Sequence, residues 1–328
     1  MPRAPGFWAA DGGGRLPALL APLLAPLSAA VAAATARRVA RPGWHAPVPV
    51  VCVGNATVGG AGKTTVALDL VARLAEAGRT PHVLLRGYGG AARGVRRVAA
   101  EDTAALVGDE ALLLAALAPT WVGADRAVAA RAACAAGAGV LVMDDGLQNP
   151  GLRKDLSLLV IDGGFGFGNA RVLPAGPLRE PVAAAAARCA AAVLIGQDRH
   201  AAVAALPPGL PILRARLMPG PEAAALAGQR VFAFAGIARP EKFFTSLREV
   251  GAVLAGSESF PDHHAFAPRT TARLLARAVR LGAVPVTTAK DAVRLPPEVR
   301  AEVRVLGVRL AWEEPAALAA LLARLAPG

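Results

Sequence analysis

The sequence predicts an α/β protein: a parallel-sheet domain of the P-loop NTPase type, a second, smaller α/β domain after it, and an N-terminal amphipathic helix before it. Three observations predict this. From residue 48 onward, short apolar runs rich in β-branched residues alternate with Ala- and Leu-rich segments of helical period. A glycine-rich turn ending in Lys63-Thr64 joins the first such run to the first such segment. Prolines cluster between Pro207 and Pro221, and a second alternation of the same kind begins beyond them.

Residues 1–45 come first. Leu16, Leu19, Leu20, Leu23, Leu24 and Leu27 fall at i, i+3, i+4, i+7, i+8 and i+11, which places all six on one stripe of a helix. Ala and Pro make the opposite face, Phe7 and Trp8 precede the stripe, and Arg37, Arg38 and Arg41 follow it. A secretory leader, a membrane span and a plain packing helix each fit part of this pattern. An interfacial helix fits most of it. Six half-buried leucines at about 1 kcal/mol each and three arginines near anionic lipid at about 1 kcal/mol each outweigh the roughly 3 kcal/mol cost of an interior proline. The expectation is a helical segment lying against an anionic membrane surface.

Residues 46–219 are expected to form the first domain. Its strands are placed at 48–53, 82–85, 140–143, 156–161 and 212–217. Helices are expected from Val66, Leu70, Val71 and Leu74, ending at Gly78, and around 112–117 and 127–136. Residues 220–328 make the smaller domain, with strands near 231–235, 284–287 and 303–308 and helices near 240–250 and 268–281.

The turn Gly59-Gly60-Ala61-Gly62-Lys63-Thr64-Thr65 is a phosphate cradle. Its glycines let backbone N–H groups turn inward, Lys63 can reach the β- and γ-phosphates of ATP, and the Thr64 hydroxyl can ligate Mg²⁺. The strict motif has glycine at position 57, where this chain has Thr57. The run also resembles the partitioning-type switch ATPases, whose signature lysine would stand at Val58, and that alternative is weakened accordingly. Guanine specificity is unsupported, because Thr288-Ala289-Lys290-Asp291 lacks the spacing of a base reader. Asp144-Asp145 close an apolar strand, where a P-loop protein carries its Mg²⁺-binding acid. Asp162 competes for that role, and a turn former is the plain reading of any of the three.

Charge excludes less than it first suggests. The net charge is +12 over 328 residues, yet only Lys63, Lys154, Lys242 and Lys290 are lysines and the arginines are scattered singly. A nucleic-acid partner is not expected; an acidic membrane or a phosphorylated substrate fits a basic protein as well. No obligate protein partner is inferred. Cys52, Cys134 and Cys189 lie far apart in apolar or Ala-rich runs and read as buried thiols of a reducing compartment.

The ordered motifs add up to a family. Val53-Gly54-Asn55 through Lys63-Thr64, Arg86-Gly87-Tyr88-Gly89-Gly90, Val107-Gly108-Asp109-Glu110, Asp144-Asp145-Gly146-Leu147-Gln148, Leu173-Pro174-Ala175-Gly176-Pro177-Leu178-Arg179-Glu180, Asp262-His263 and Lys290-Asp291 together resemble the tetraacyldisaccharide 4′-kinases of lipid A biosynthesis. The chain departs from the family in Leu147, where Phe is common, and in Thr65, where Pro is usual. The resemblance implies transfer of the ATP γ-phosphoryl group to the 4′-hydroxyl of an acylated glucosamine disaccharide 1-phosphate, at the cytoplasmic face of the inner membrane. It implies Asp109 as the base that takes the hydroxyl proton, His263 as its support, and Arg126 near a substrate phosphate.

Read as residues, the same positions leave alternatives open. Asp109 would serve as a helix N-cap, and His263-His264 as loop polar residues or half of a metal site. Arg179 offers a planar fork to a phosphate and Glu180 a share in Mg²⁺, or the two form an exposed salt bridge. Gln148 orients metal or phosphate, or ends a turn. Lys290 and Asp291 suit an ion pair between domains. Asp109 and His263 fall in different domains, so closure of a cleft would assemble them.

Overall fold

The computed structural model describes residues 5–10 and 15–325, the side chains of residues 15–21 excepted. Its first helix, α1 (Arg15–Val39), continues through Pro22 and Pro26. Ser28 Oγ on this helix donates to Val172 O (2.8 Å) and accepts from Ala175 N (3.3 Å), while Trp8 Nε1 donates to Pro174 O (3.1 Å). Leu23 and Leu27 turn outward, 75% and 55% exposed. The side chains of Leu16, Leu19 and Leu20 lie outside the described residues. Among the described residues, no helix is long and apolar enough to cross a membrane.

The first unit then runs β1 (Val50–Gly54), α2 (Lys63–Glu76), β2 (Pro81–Leu85), β3 (Arg96–Arg97), α3 (Ala104–Val107), α4 (Asp109–Ala115), β4 (Thr120–Val122), α5 (Arg126–Ala135), β5 (Val140–Asp144), β6 (Leu156–Asp162), α6 (Val182–Ala186), β7 (Ala191–Ile195) and β8 (Ile212–Pro219). The second runs β9 (Arg230–Ala235), α7 (Pro240–Glu249), β10 (Val253–Ser259), α8 (Pro268–Arg280), β11 (Val284–Thr288), α9 (Ala289–Ala292), α10 (Pro297–Glu302) and β12 (Arg304–Leu306), before β13 (Val308–Trp312) and α11 (Pro315–Ala323) end the chain.

Among the described residues the strands make a sheet of nine, ordered β13-β8-β7-β6-β1-β5-β2-β4-β3, and a sheet of four, ordered β10-β9-β11-β12. Pairing is parallel throughout except for β3 with β4 and β13 with β8. Parallel sheets are covered on both faces, which explains the unbroken apolar runs. In β1, Val51 and Val53 meet Val66, Leu70, Val71 and Leu74 of α2, and Val50 and Cys52 face the side built with Ala129, Ala130 and Ala133 of α5. Burying each large side chain of α2 contributes roughly 1.5–3 kcal/mol. The Asp125 carboxylate caps α5 by accepting from Ala127 N and Val128 N, worth about 1 kcal/mol. In the small sheet, Val231 and Ala233 face Phe243, Phe244 and Leu247 of α7, while Phe232 and Phe234 face Leu274 and Ala278 of α8.

The chain crosses between the sheets twice, and the crossings are bonded together by Gly220 N to Gly307 O (3.0 Å). The expected strand at 303–308 is thereby split at Gly307: β12 closes the small sheet, and β13 returns to edge the large one. The sequence reading carried the smaller unit to residue 328. Here Leu310, Trp312, Leu318 and Leu321 join the core of the first sheet instead, and Trp312 Nε1 donates to Asp69 Oδ2 of α2 (2.9 Å).

Candidate active site

Residues 55–62 lead from the end of β1 into α2, and their geometry follows from their neighbours. Thr57 bridges Leu178, and Val58 N donates to Pro177 O (2.8 Å). The first half of the turn is thus extended and paired, which suits the β-branched Thr and Val found where the strict motif or the partitioning type would differ. Gly62 then adopts φ 85° at the start of α2, and a Cβ there would fall 2.7 Å from Ile195 Cδ1. Glycine answers both demands. Lys63 lies across the loop, its Nζ donating to Asn55 Oδ1 (3.1 Å) and Gly59 O (3.4 Å) and standing 3.6 Å from Asp145 Oδ1.

Parallel pairing of β1 with β5 sets Val53 beside Asp144, so the acid at the end of β5 arrives next to the phosphate loop. Thr64 Oγ1 donates to Asp144 Oδ2 (2.9 Å). Asp144 is 2% exposed, and its Oδ1 is buried with no hydrogen-bond partner among the described residues. Burial, reinforced by the Glu110 charge, pushes this carboxyl up to about 7. A hydroxyl beside a carboxylate with one oxygen unused fits a hard divalent ion. No group of three His, Cys, Asp or Glu side chains gathers among the described residues, so such an ion would draw its other oxygens from nucleotide and water. Asp145 behaves differently: burial would raise it, but Lys63 and then Arg179 hold it below the usual carboxylate range.

Arg179 grips Asp145 with both ends of its fork, at 2.8 and 3.1 Å, and also donates to Gln148 Oε1 (3.3 Å). Gln148 Nε2 donates to Asn55 O and to Glu180 Oε1, both 2.9 Å. Glu180 is buried and receives Arg188 on both oxygens, at 2.7 and 2.9 Å. The exposed salt bridge and the metal role read from sequence give way to a buried brace that holds Gln148 and Arg179 beneath the phosphate loop. Arg126 is buried as well. It donates to Gly123 O, its Nε has no partner among the described residues, and burial lowers it to about 10. Asp162, the competing acid, accepts from Gly164 N and pairs with Arg239 (3.1 Å).

The second centre lies where the strand ends of the small sheet meet α4. Asp109 is the first residue of α4 and 4% exposed; the cap position itself is Gly108. His263 Nδ1 donates to Asp109 Oδ2 (3.0 Å), Arg294 donates to the same oxygen through Nε (3.1 Å) and Nη2, and Lys290 Nζ stands 3.7 Å away. Burial would raise this carboxyl, but the hydrogen bond from His263, then Lys290 and Arg294, drives it well below the usual range. His263 follows β10 with φ 60°, fixed by its N–H donating to Gly236 O (3.1 Å). Arg294 is fixed by Asp291 (2.9 Å) and Gly236 O (2.9 Å), and Asp291 by Thr288 Oγ1 (2.7 Å). The Tyr88 ring lies 6.4 Å from that of His263.

Lys63, Thr64, Asp144, Asp145, Arg179, Gln148 and Glu180 therefore form one connected cluster, and Asp109 and His263 meet across the two units. The ion pair expected between units exists, with Lys290 reaching Asp109. Sequence reading missed Arg294, Asn55, Glu110 and Arg188 as members of these clusters. Arg294 carried a signal, standing four residues after Lys290 in the turn that follows α9.

A model of the family described as Tetraacyldisaccharide-1-P 4'-kinase matches residues 20–326. A tetraacyldisaccharide 4'-kinase of Gluconacetobacter diazotrophicus is 61% identical over 320 residues, covering 97% of each chain. One from Rhodospirillum centenum is 57% identical over 331 residues, covering 99% of this chain and 97% of its own. A solved structure, LpxK from Aquifex aeolicus in complex with ATP, is similar with a TM-score of 0.75 and 26% identity, covering 93% of this chain and 99% of that one.

Proposed function

The chain belongs to the tetraacyldisaccharide-1-P 4'-kinase family, and from that premise we propose how its residues divide the reaction. The reaction is transfer of the γ-phosphoryl group of ATP to the 4′-hydroxyl of a tetraacyl disaccharide 1-phosphate. The partitioning-type switch is set aside by family membership. The observation that carries the assignment is the contact of Asp109 with His263, 3.0 Å across the two units.

ATP lays its phosphates on residues 59–65, where backbone N–H groups and the roughly half positive charge at the N-terminus of α2 favour anions. Lys63 exchanges Asn55 and Gly59 for the β- and γ-phosphates. Thr64 and Asp144, with Asp145 beside them, would hold Mg²⁺; when bound, this ion offsets phosphate charge as it builds during transfer. Arg179 and Gln148, braced by Glu180, orient the phosphate end, and Arg126, within electrostatic reach of Asp145, serves a substrate phosphate. The sugar hydroxyl meets the Asp109–His263 pair. Its oxygen bonds to the γ-phosphorus, the bond from that phosphorus to the β-bridging oxygen breaks, and ADP leaves with the electron pair. The hydroxyl proton passes to the pair. Asp109 Oδ2 already accepts from His263 and Arg294, so Asp109 keeps the imidazole oriented and leaves His263 Nε2 as the accepting atom. Such a base contributes roughly 10²–10⁴ in rate.

The membrane role belongs to α1, whose exposed Leu23 and Leu27 and terminal Arg37 and Arg38 suit a peripheral position at the cytoplasmic face of the inner membrane. Two experiments test the proposal. Purified protein incubated with labelled ATP, Mg²⁺ and a 1-phosphorylated acylated disaccharide should label the lipid, with Asp109→Ala and Lys63→Ala nearly inactive. Full activity in either variant overturns its role. Detergent-free fractionation should find the full chain with membranes and a deletion of residues 1–40 in the supernatant; identical distribution sinks the interfacial helix.

A further inference from the structure

On the sheet face opposite α2, behind the phosphate loop, lies a cavity of about 410 Å³ whose wall carries Arg41, His45, Arg153, Lys154 and Arg188. No carboxylate is part of that wall among the described residues. Arg188 is engaged by Glu180 and Lys154 donates to Asn149 O. The side chains of Arg41, His45 and Arg153 and the Ser157 hydroxyl make no hydrogen bond or ion pair among the described residues. Burial holds the Lys154 ammonium below its ordinary value, a cost that an anion in the cavity would offset.

The wall is built rather than draped. A Cβ at Gly43 would fall 2.5 Å from Pro150 O and 2.7 Å from Leu152 C, so residues 41–45 lie closer to 150–153 than any other side chain permits. Trp44 N donates to Gly151 O and Arg153 N to Trp44 O, each 2.9 Å, and the Arg131 guanidinium sits 4.6 Å over the Trp44 ring. Arg41 and Arg153 are therefore held on facing segments, with a gap of drug-site size between them.

The cavity begins at the end of α1, since Val39 is part of its wall. A helix lying in the interface keeps its whole axis at one depth, so its C-terminal end also sits among lipid headgroups. Forked guanidinium groups match the oxygens of a phosphate better than those of a neutral headgroup. We propose that this cavity binds the phosphate ester of an anionic phospholipid headgroup and seats the end of α1 on the bilayer, a role that rests on the interfacial reading of that helix.

The test is flotation of the full chain with vesicles of phosphatidylcholine alone or mixed with phosphatidylglycerol. Wild type should prefer the anionic vesicles, and the double variant R41Q/R153Q should lose that preference by roughly thirtyfold, the effect of withdrawing two cations from such a surface. Its binding to neutral vesicles should be unchanged, whereas L23S/L27S should weaken binding to both. An undiminished preference in R41Q/R153Q, or no preference in wild type, overturns the site as a headgroup pocket. If wild type floats with neither vesicle, the interfacial reading has failed and a soluble arm decides about the cavity. With the phosphate loop filled by a non-hydrolysable ATP analogue, ³¹P line broadening of glycerol phosphate that R41Q/R153Q abolishes would keep a phosphate site with a soluble source. Absence of broadening would remove the site altogether.

Discussion

Asp144 and Asp109 are two acids of one crevice, 2% and 4% exposed, and their proton affinities move in opposite directions. Asp144 has a threonine hydroxyl on one oxygen, a second oxygen without a hydrogen-bond partner among the described residues and the Glu110 charge nearby, so desolvation wins and the carboxyl rises to about 7. Asp109 has an imidazole, a guanidinium and an ammonium converging on a single oxygen, and these outweigh the same desolvation. Burial sets the penalty for ionisation; the partners decide who meets it. One carboxyl keeps its proton up to about pH 7, and the other is held ionised by partners within the protein.

Four measurements test whether the two acids differ in this way. The largest effect is expected in kcat. Asp109→Asn should lower it by roughly 10²–10⁴ with little change in KM for ATP, while Asp144→Asn should raise the Mg²⁺ concentration needed for half-maximal rate. Similar loss of ATP binding in both variants would erase the distinction. Next comes stability. Arg294→Met strips a buried cation from Asp109 and Asp291, both nearly inaccessible, and should cost about 3–5 kcal/mol in urea unfolding. Thr64→Val, which removes one hydrogen bond from Asp144, should cost about 1 kcal/mol. Equal losses would mean that the cations around Asp109 are not coupled to it.

The third effect is a pH dependence of opposite sign at the two acids. Asp144 sits above its ordinary 3.8, so the folded chain holds that proton more tightly than the unfolded one. Its contribution is full below the ordinary value and is lost as pH rises through about 7. A divalent ion needs the ionised form, so the gain in Tm on adding Mg²⁺ and ATP should be larger near about pH 8 than near about pH 6. Asp109 sits below its ordinary value, so its contribution is present above 3.8 and is lost only on strong acidification. A Tm gain from Mg²⁺ and ATP that is flat across this range would contradict the account of Asp144. The smallest effect is expected at Arg239, whose ion pair with Asp162 also joins the two units but is substantially exposed. Arg239→Ala should change stability by less than about 1 kcal/mol.

Much of this was legible in the chain, and the boundary of legibility has physical causes. Strands of β-branched residues such as β1, β5 and β6 announced themselves because a doubly covered strand needs apolar residues at every position. β7 did not. Its Ala191 and Ala192 continue an alanine-rich run that also supplies α6, and alanine favours helix until the partner strands β6 and β8 decide otherwise. β4 was hidden by brevity and β10 by its exposed, polar alternation. At the site, Lys63 and Thr64 were readable because they stand side by side in one turn, and Asp144 because it ends an apolar strand, where parallel pairing beside β1 delivers an acid to that turn. Arg294 depends on Asp109, 185 residues away, and the Glu180–Arg188 pair, though only 8 residues apart, takes its role from Gln148, 32 residues before Glu180; no local pattern encodes either link. Asp109 and His263 were named through family resemblance; their separation of 154 residues gave no spacing to argue from.

The return of β13 to the large sheet has a consequence for how the protein is made. A ribosome emits β8 long before β13, and the whole small sheet is synthesised in between. At roughly 5–20 residues per second, the nascent chain spends several seconds with β8 as an open edge on which Leu217 and Met218 remain exposed even in the finished molecule. Unpaired edges recruit strands from other chains. Vectorial synthesis thus makes β13, a strand made late, the guard of an edge formed much earlier. A chain stopped at residue 306 would keep that edge open permanently, and its solubility compared with the full chain would measure what the final strand protects.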